Sequence, residues 1–312
     1  MTQVRALTFT AGSLGRRTRR SPSRTHPALY LFPLPAVVLL VVFFLIPLLQ
    51  AAQYAVTDWN GYSDTFAYVG LSNFEHALTN DVLFSNSLFN NLKFMVVVVV
   101  AELILSLLLA ILLVRNSRSS IVLRAIFFFP AILSSVSVAF IWKFVYDPTY
   151  GIGNFLLGLL GLDSLKSSYL GDDQTAIYWV AAIQVWFFTG MMIVIFIAGL
   201  QGIPQELYEA ADMDGASPWR QFTSITWPLI APATTIVVAY TTIQTFKAFD
   251  LILGLSGNPP RQSTDILSTR VYTSFANSQF GYAAAESLLF MAIIGIVIYL
   301  QHRVLKLTQK TE

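Results

Sequence analysis

Gln201-Gly202-Ile203-Pro204-Gln205-Glu206-Leu207-Tyr208-Glu209-Ala210-Ala211-Asp212-Met213-Asp214-Gly215 and then Ala216-Ser217-Pro218-Trp219-Arg220-Gln221-Phe222 form a polar stretch between two apolar runs. It closes with Ile225-Thr226-Trp227-Pro228. Its punctuation predicts two short helices. Pro204 suits a first helical turn, where its missing N–H costs nothing. Glu206 and Glu209 then lie near the positive end of the helix dipole. Gly215 stands where a helix C-terminus wants a residue that tolerates positive φ. Ser217 and Pro218 read as a fresh N-cap and first turn, and Pro228 is expected to end the second piece. The segment is thus a small capped knob, acidic and alanine-rich, with Leu207, Tyr208 and Met213 as apolar studs. A capped interfacial helix is the plain alternative, but such a helix carries Lys and Arg on its polar face, and this one carries acids. A protein partner with a receiving groove is the better inference.

The surroundings of the knob set the class. Of 312 residues, 55% are hydrophobic and 12% charged, against roughly a quarter charged in a soluble domain. The chain therefore reads as an all-α, polytopic membrane protein. It has no cysteine, which excludes disulfides, thiolate metal sites and cysteine nucleophiles.

Windows of roughly 20 apolar residues predict six spans, at about 29–54, 92–114, 123–145, 176–200, 229–249 and 284–302. Residues 1–26 hold Arg5, Arg16, Arg17, Arg19, Arg20 and Arg24 without an acid and read as a disordered cytoplasmic arm. The apolar run behind it is about twice as long as the core of a signal peptide, so 27–56 is read as the first transmembrane helix. Orientation explains the arginines without nucleic-acid binding. The arm, the 115–124 turn, the 201–228 loop and the C-terminus together hold 13 Lys and Arg, against 6 on the other side. That excess predicts both termini, and the Glu209 loop with them, in the cytoplasm. The expected organisation is an arm (1–26), a first span (27–56), an external segment (57–87), a domain of five spans (88–303) and a cytoplasmic tail (304–312).

Little in the sequence carries catalysis. A phosphate-cradling Gly-rich loop ending in Lys-Ser or Lys-Thr is absent, so ATP hydrolysis by that route is not expected of this chain. His26, His76 and His302 stand isolated outside the predicted span interiors. Neither a Ser-His pair nor paired carboxylates occur at membrane depth, and metal-ligand spacing is missing too. Trp142 and Trp179 near span ends are expected in the interfacial aromatic belt. Pro130 can open the third span.

Two acids stand within or near spans, where a central charge costs about 2.5–3.5 kcal/mol and is tolerated only facing a bundle interior or a wet path. Glu102 is one turn from Ser106 and is read as a structural hydrogen-bonding group. Glu286 is a candidate for the outward half of a translocation path, with a structural hydrogen bond or headgroup location as its alternatives. Gln184, Gln244 and Asn91 could present hydrogen bonds in such a path.

The run Glu209-Ala210-Ala211, three residues, Gly215, nine residues, Ile225, one residue, Trp227-Pro228 resembles the signature loop of permease subunits of binding-protein-dependent ABC importers. Trp227 departs from the usual Leu and leaves the Pro in place. The resemblance extends over nearly the whole chain after Ala28. Gly70-Leu71-Ser72-Asn73-Phe74, Gly151-Ile152-Gly153-Asn154, Gly257-Asn258-Pro259-Pro260 and Phe280-Gly281-Tyr282-Ala283-Ala284-Ala285 are similar to segments of the sugar-family branch. The family often has a small pair where Glu286 stands, so no role carries over to that acid.

The resemblance implies a type I importer permease fold in a bacterial inner or plasma membrane, surrounded by membrane lipid. It implies a second homologous permease, two ATP-binding ABC subunits carrying ATP and Mg, and an extracytoplasmic sugar-binding protein. This chain would then hold no cofactor, no metal and no catalytic residue, and it would not be an enzyme. Glu206, Glu209, Ala210, Ala211, Asp214 and Gly215 would form the helix that couples to the ATPase. Another polar solute, such as a glycerol phosphoester, is the alternative cargo. An ion-coupled secondary transporter is the alternative class; it calls for more intramembrane charges or for broken helices in matching halves, and the sequence shows neither.

Overall fold

The computed structural model describes residues 31–310, with side chains through 306. The basic arm at 1–26 lies outside the described residues. The chain divides into two compact units, Met1–Leu49 and Gln50–Glu312. From Leu34 on, the described part of the first belongs to helix α1, Leu34–Tyr54, which is uncharged and mostly apolar and contains a π-helical turn at Val41–Leu45.

The second unit is helical, with one isolated bridge, Thr57 to Tyr68, in place of strands among the described residues. Helix α2 (Val82–Leu113) is followed by α3 (Arg118–Phe128), α4 (Ser135–Val145), α5 (Ile152–Leu159) and α6 (Ala176–Gln201). Then come α7 (Gln205–Met213), α8 (Pro218–Leu229), α9 (Ala231–Phe246), α10 (Phe249–Ser256), α11 (Leu267–Ala276) and α12 (Phe280–Lys310). Among the described residues four helices (α1, α2, α6 and α12) are each long and apolar enough to cross a bilayer, and the number is six if each of two bent pairs counts as one span.

Helix α2 starts at Val82, ten residues before the expected 92. The cause is Asp81, whose Oδ1 accepts the Leu83 and Phe84 N–H groups at 2.8 and 3.0 Å. That cap lets the helix begin in mixed sequence, where Ser and Asn among the apolar residues of 82–91 dilute a hydropathy window. On α2, Val96, Val100, Ile104, Leu108 and Leu112 form an exposed stripe at every fourth residue. Phe94, Val98, Glu102, Ser106 and Ala110 occupy the buried face.

Helices α2 and α6 run side by side in the same direction. Phe94 and Val98 meet the cluster of Ile177, Val180, Ile183 and Phe187 at one end. Leu107, Ala110 and Leu113 meet Met192, Ile193, Phe196 and Ile197 at the other. A third cluster joins Phe84, Met95, Phe246 and Leu267 to Leu289, Phe290 and Ile293 of α12.

The third span is broken near Pro130, where the sequence allowed an opening, and the knob's second helix meets the helix of the fifth span at a bend close to the expected boundary. Residues Arg118–Ile132 and Ser135–Val145 meet at 100°, and Pro218–Leu229 and Ala231–Phe246 meet at 65°. Around Pro130 the chain tightens into a 3₁₀ turn, Phe129–Ile132, because proline removes a ladder donor. Pro228 does not end its helix; it sits early in the turn Trp227–Leu229, and the break falls at Ile230, before Pro232. Helix α12, the sixth predicted span, reaches past the expected 302 into the predicted tail as far as Lys310. Trp142 and Trp179 are half-buried. Trp142 packs on Tyr146 and Trp186, and Trp179 on Tyr146 and Tyr169, inside an aromatic cluster.

Candidate functional site

The knob is built as two capped helical pieces folded back on each other. Helix α7 ends in a Schellman motif: the Ala216 N–H donates to Ala211 O at 2.9 Å and the Gly215 N–H to Asp212 O at 3.0 Å. Gly215 has φ +73°, the left-handed value this closure requires. Ser217 then caps α8, its Oγ accepting the Arg220 N–H at 3.4 Å.

Two side-chain bonds tie α7 to α8. Tyr208 Oη and Thr226 Oγ1 lie 2.9 Å apart, and Gln221 Nε2 donates to Asp212 Oδ1 at 2.5 Å. The root is apolar: Ile203 and Ile230 are buried in the α2–α6–α9 cluster, with Tyr208, Phe222 and Ile225 against it. The outer face is open. Glu206, Glu209, Ala210, Asp214 and Gly215 are exposed, Ala211 is half-buried, and Leu207, Met213 and Trp219 are exposed apolar groups beside them. A cleft of about 570 Å³ lies next to Ala211, Asp214, Gly215, Arg220 and Gln221. Acidic and apolar groups on a stiff, outward-facing helix suit docking into a complementary groove.

The four path candidates lie on four different helices. Gln184 is buried on α6 and Gln244 half-buried on α9. Asn91 is buried on α2, its Oδ1 accepting the Leu267 N–H at 3.3 Å. Glu286 is wholly buried near the start of α12. Glu102 is buried mid-helix, its Oε2 accepting the Thr241 hydroxyl of α9 at 2.7 Å, and the Ser106 hydroxyl bonds back to the Glu102 carbonyl.

At the end of the bundle away from the knob, the structure assembles a charged cluster that sequence reasoning did not find. Arg270 of α11 places Nη2 2.9 Å from Asp81 Oδ2 and Nε 3.3 Å from Glu286 Oε1. The Tyr282 hydroxyl donates to Asp81 Oδ2 at 2.7 Å. Side-chain exposure is 12% for Arg270, 8% for Asp81 and 0% for Glu286, so this is an interior ion cluster and not a surface one. The loop before α11 is tied in at the same place: Asn90 Nδ2 donates to the Gln262 and Asp265 carbonyls at 2.8 and 3.1 Å, and Ser87 Oγ to Asp265 Oδ2 at 3.0 Å. In the sequence Arg270 counts only toward orientation. The one local signal was an unexplained acid at a span head, which calls for a cation nearby.

Burial alone would raise the Asp81 carboxyl, but the Tyr282 hydroxyl, the Phe84 N–H and Arg270 outweigh it and hold Asp81 below its ordinary value. Burial pushes the Asp265 carboxyl up, against hydrogen bonds from Thr269 and Ser87. Because the folded pKa of Asp81 is lowered, its contribution to stability is complete above the unfolded value of about 4 and is lost as pH falls through the folded one. Asp81→Asn leaves Arg270 half-paired, and breaking a buried pair costs about 3–5 kcal/mol. The variant is expected to melt earlier at neutral pH, with the gap to wild type closing on acidification. A constant gap down to pH 3 in thermal unfolding in detergent would refute the assignment.

The family described as "binding-protein-dependent transport system inner membrane component" matches residues 102–307. The chain is 36% identical over 285 residues to a probable ABC transporter permease protein of Pyrococcus horikoshii, covering 90% of this chain and 97% of that one. It is 35% identical to the multiple sugar-binding transport system permease protein MsmF of Streptococcus mutans, covering 90% and 95%. It is 32% identical to the probable starch degradation products transport system permease protein AmyD of Thermoanaerobacterium thermosulfurigenes, covering 91% and 94%. In fold it is similar to a chain of a bacterial alginate ABC transporter solved in complex with an alginate pentasaccharide-bound periplasmic protein. The TM-score is 0.77 at 20% identity, over 91% of this chain and 95% of that one.

Proposed function

The chain belongs to the family of binding-protein-dependent transport system inner membrane components, and from that premise we propose that it is the permease subunit of an ATP-driven sugar importer. It forms half of a pore, completed by a second homologous permease, for a sugar or oligosaccharide delivered by an external solute-binding protein. Two copies of an ABC subunit bind ATP and Mg and perform the hydrolysis, and this chain is non-catalytic. It is a multi-pass protein of the bacterial cell membrane with both termini in the cytoplasm, and 88–303 is its permease domain. Relatives named for sugar and starch-product transport support the cargo class.

The observation that carries the mechanism is the stiff knob. Closure of an ATPase dimer displaces a groove, and a load applied to α7 reaches α6 and α9 only if α7 cannot flex on its stem. The Tyr208–Thr226 and Asp212–Gln221 bonds and the buried Ile203–Ile230 root supply that stiffness. Glu206, Glu209, Ala210, Ala211, Asp214 and Gly215 form the docking face, where acids accept donors and alanines permit close approach.

The test is uptake into cells or vesicles of a panel of labelled mono- and oligosaccharides. Glu209→Lys reverses charge at the centre of the docking face, and like charges across an interface cost several kcal/mol. ATP-driven uptake is expected to collapse while the amount of protein in the membrane is unchanged. Sugar uptake that needs no ATPase subunit, or full uptake by Glu209→Lys, would overturn the reading. Uptake of a glycerol phosphoester and of no sugar would change the cargo alone.

A further inference from the structure

The Asp81–Arg270–Glu286 cluster is satisfied on one side only. Asp81 accepts two backbone N–H groups, the Tyr282 hydroxyl and the Arg270 guanidinium. Glu286 is fully buried, yet neither of its oxygens, nor Arg270 Nε, takes part in a hydrogen bond of good geometry; its polar neighbours are Arg270 and Ser274. A buried carboxylate held so loosely is an expense to the fold. A buried ion pair is also no better a stabiliser than apolar residues of the same size, so mere cohesion would be served as well by a leucine. The cluster joins three separate elements at one end of the bundle: the cap of α2, the middle of α11 and the head of α12. Separating those ends requires this cluster to open.

We propose that Arg270 is a positioning residue for transport: with Asp81 and Glu286 it forms a latch that holds the external ends of α2, α11 and α12 together, and its Arg270–Glu286 half opens during the cycle. Arg270 stays with Asp81, where the hydrogen bonding is complete. The α12 end moves off, and Glu286 gains water or solute hydroxyls as the partners it lacks in the closed arrangement. The proposal rests on the importer reading and deepens it, since it places the outer gate and gives Glu286 a place on the path once the gate is open.

The absence of cysteine from the chain makes the test direct. Ser274 is buried one turn from Arg270 on α11, and Ser274→Cys is nearly isosteric. In the assembled transporter in proteoliposomes, a membrane-impermeant thiol reagent added outside is expected to label position 274 slowly at rest and faster during turnover. Arg270→Lys keeps the charge, so the cluster remains neutralised, but a point-like ammonium cannot bridge two carboxylates as the planar fork does. In that background, labelling at rest is expected to rise about tenfold, as a minor open state becomes a main one, and ATP hydrolysis without the binding protein to increase several-fold. Glu286→Gln, which leaves Arg270 on Asp81, should do the same.

Resting label and basal hydrolysis unchanged from wild type in both variants would overturn the latch. So would equal labelling at rest and in turnover in a transporter that is moving sugar. If the wild-type assembly moves no sugar with ATP, the importer reading fails. The resting label with Arg270→Lys then still decides whether the three ends are latched.

Discussion

Gly215→Val is expected to reach the membrane in normal amount and to transport at a small fraction of the wild-type rate. The glycine has φ +73°, and the left-handed region costs an L-residue roughly 1–2 kcal/mol, more when the side chain is β-branched. The effect is one of backbone conformation alone, because a Cβ added at Gly215 meets no atom within 4 Å. What breaks is the pair of Schellman bonds from Gly215 and Ala216 to Asp212 and Ala211. Without them the chain cannot reverse between α7 and α8, and Gln221 loses its position against Asp212. The docking face then hangs on a flexible joint. Gly215→Asn is the matched control, since asparagine tolerates the left-handed region, and it should retain most of the uptake. Equal ATP-driven uptake by the valine variant and wild type would remove this segment from the coupling path. Equal loss in both variants would show that a side chain, and not the backbone angle, is what the partner groove rejects.

Gly190→Ala carries a large expected cost to the fold itself. A Cβ on Gly190 would lie 2.0 Å from Phe127 O, 2.3 Å from Phe127 C and 2.6 Å from Phe128 N. These are backbone atoms, so no rotamer change relieves the clash. The end of α3 and the 3₁₀ turn at Pro130 must move off α6, and the bend of the third span moves with them. Small residues that allow backbones to approach are a main source of cohesion between helices in a bilayer, where no hydrophobic drive operates between them. Overpacking of this kind costs about 3 kcal/mol. The variant should be less abundant and should melt well below wild type in detergent. Gly295→Ala, whose added Cβ meets nothing, should match wild type or slightly exceed it, since alanine is the better helix former. The same melting midpoint for Gly190→Ala and Gly295→Ala would contradict the close approach.

How far the sequence could be read differs between its parts for physical reasons. Long apolar runs and helix caps are local, so the six spans, the reversal at Gly215 and the fresh start at Ser217 were legible. The true start of α2 was not, because the Asp81 cap starts the helix in residues 82–91, whose Ser and Asn side chains dilute the apolar signal. The bends at the third and fifth spans were half legible: Pro130, Pro228 and Pro232 mark the places, yet a proline permits a bend without setting its size. The packing of Trp142 and Trp179 on Tyr146 was not legible, because an indole near a span end suits the belt and the core equally well. The Asp81–Arg270 bond joins residues 189 apart in the chain, beyond any local pattern.

By itself, then, the sequence determined that this chain is a helical membrane protein of six crossings with one capped, acidic turn between the fourth and fifth. Those features depend on composition and on neighbours within a few residues. Only the tertiary structure decided which side of each helix turns inward, and that Glu286 faces Arg270 and Glu102 faces Thr241. In a solvent as apolar as the protein interior, both sides of a helix such as α2 are equally hydrophobic. The choice falls to close packing and to a few buried polar partners, which exist only once the helices have met.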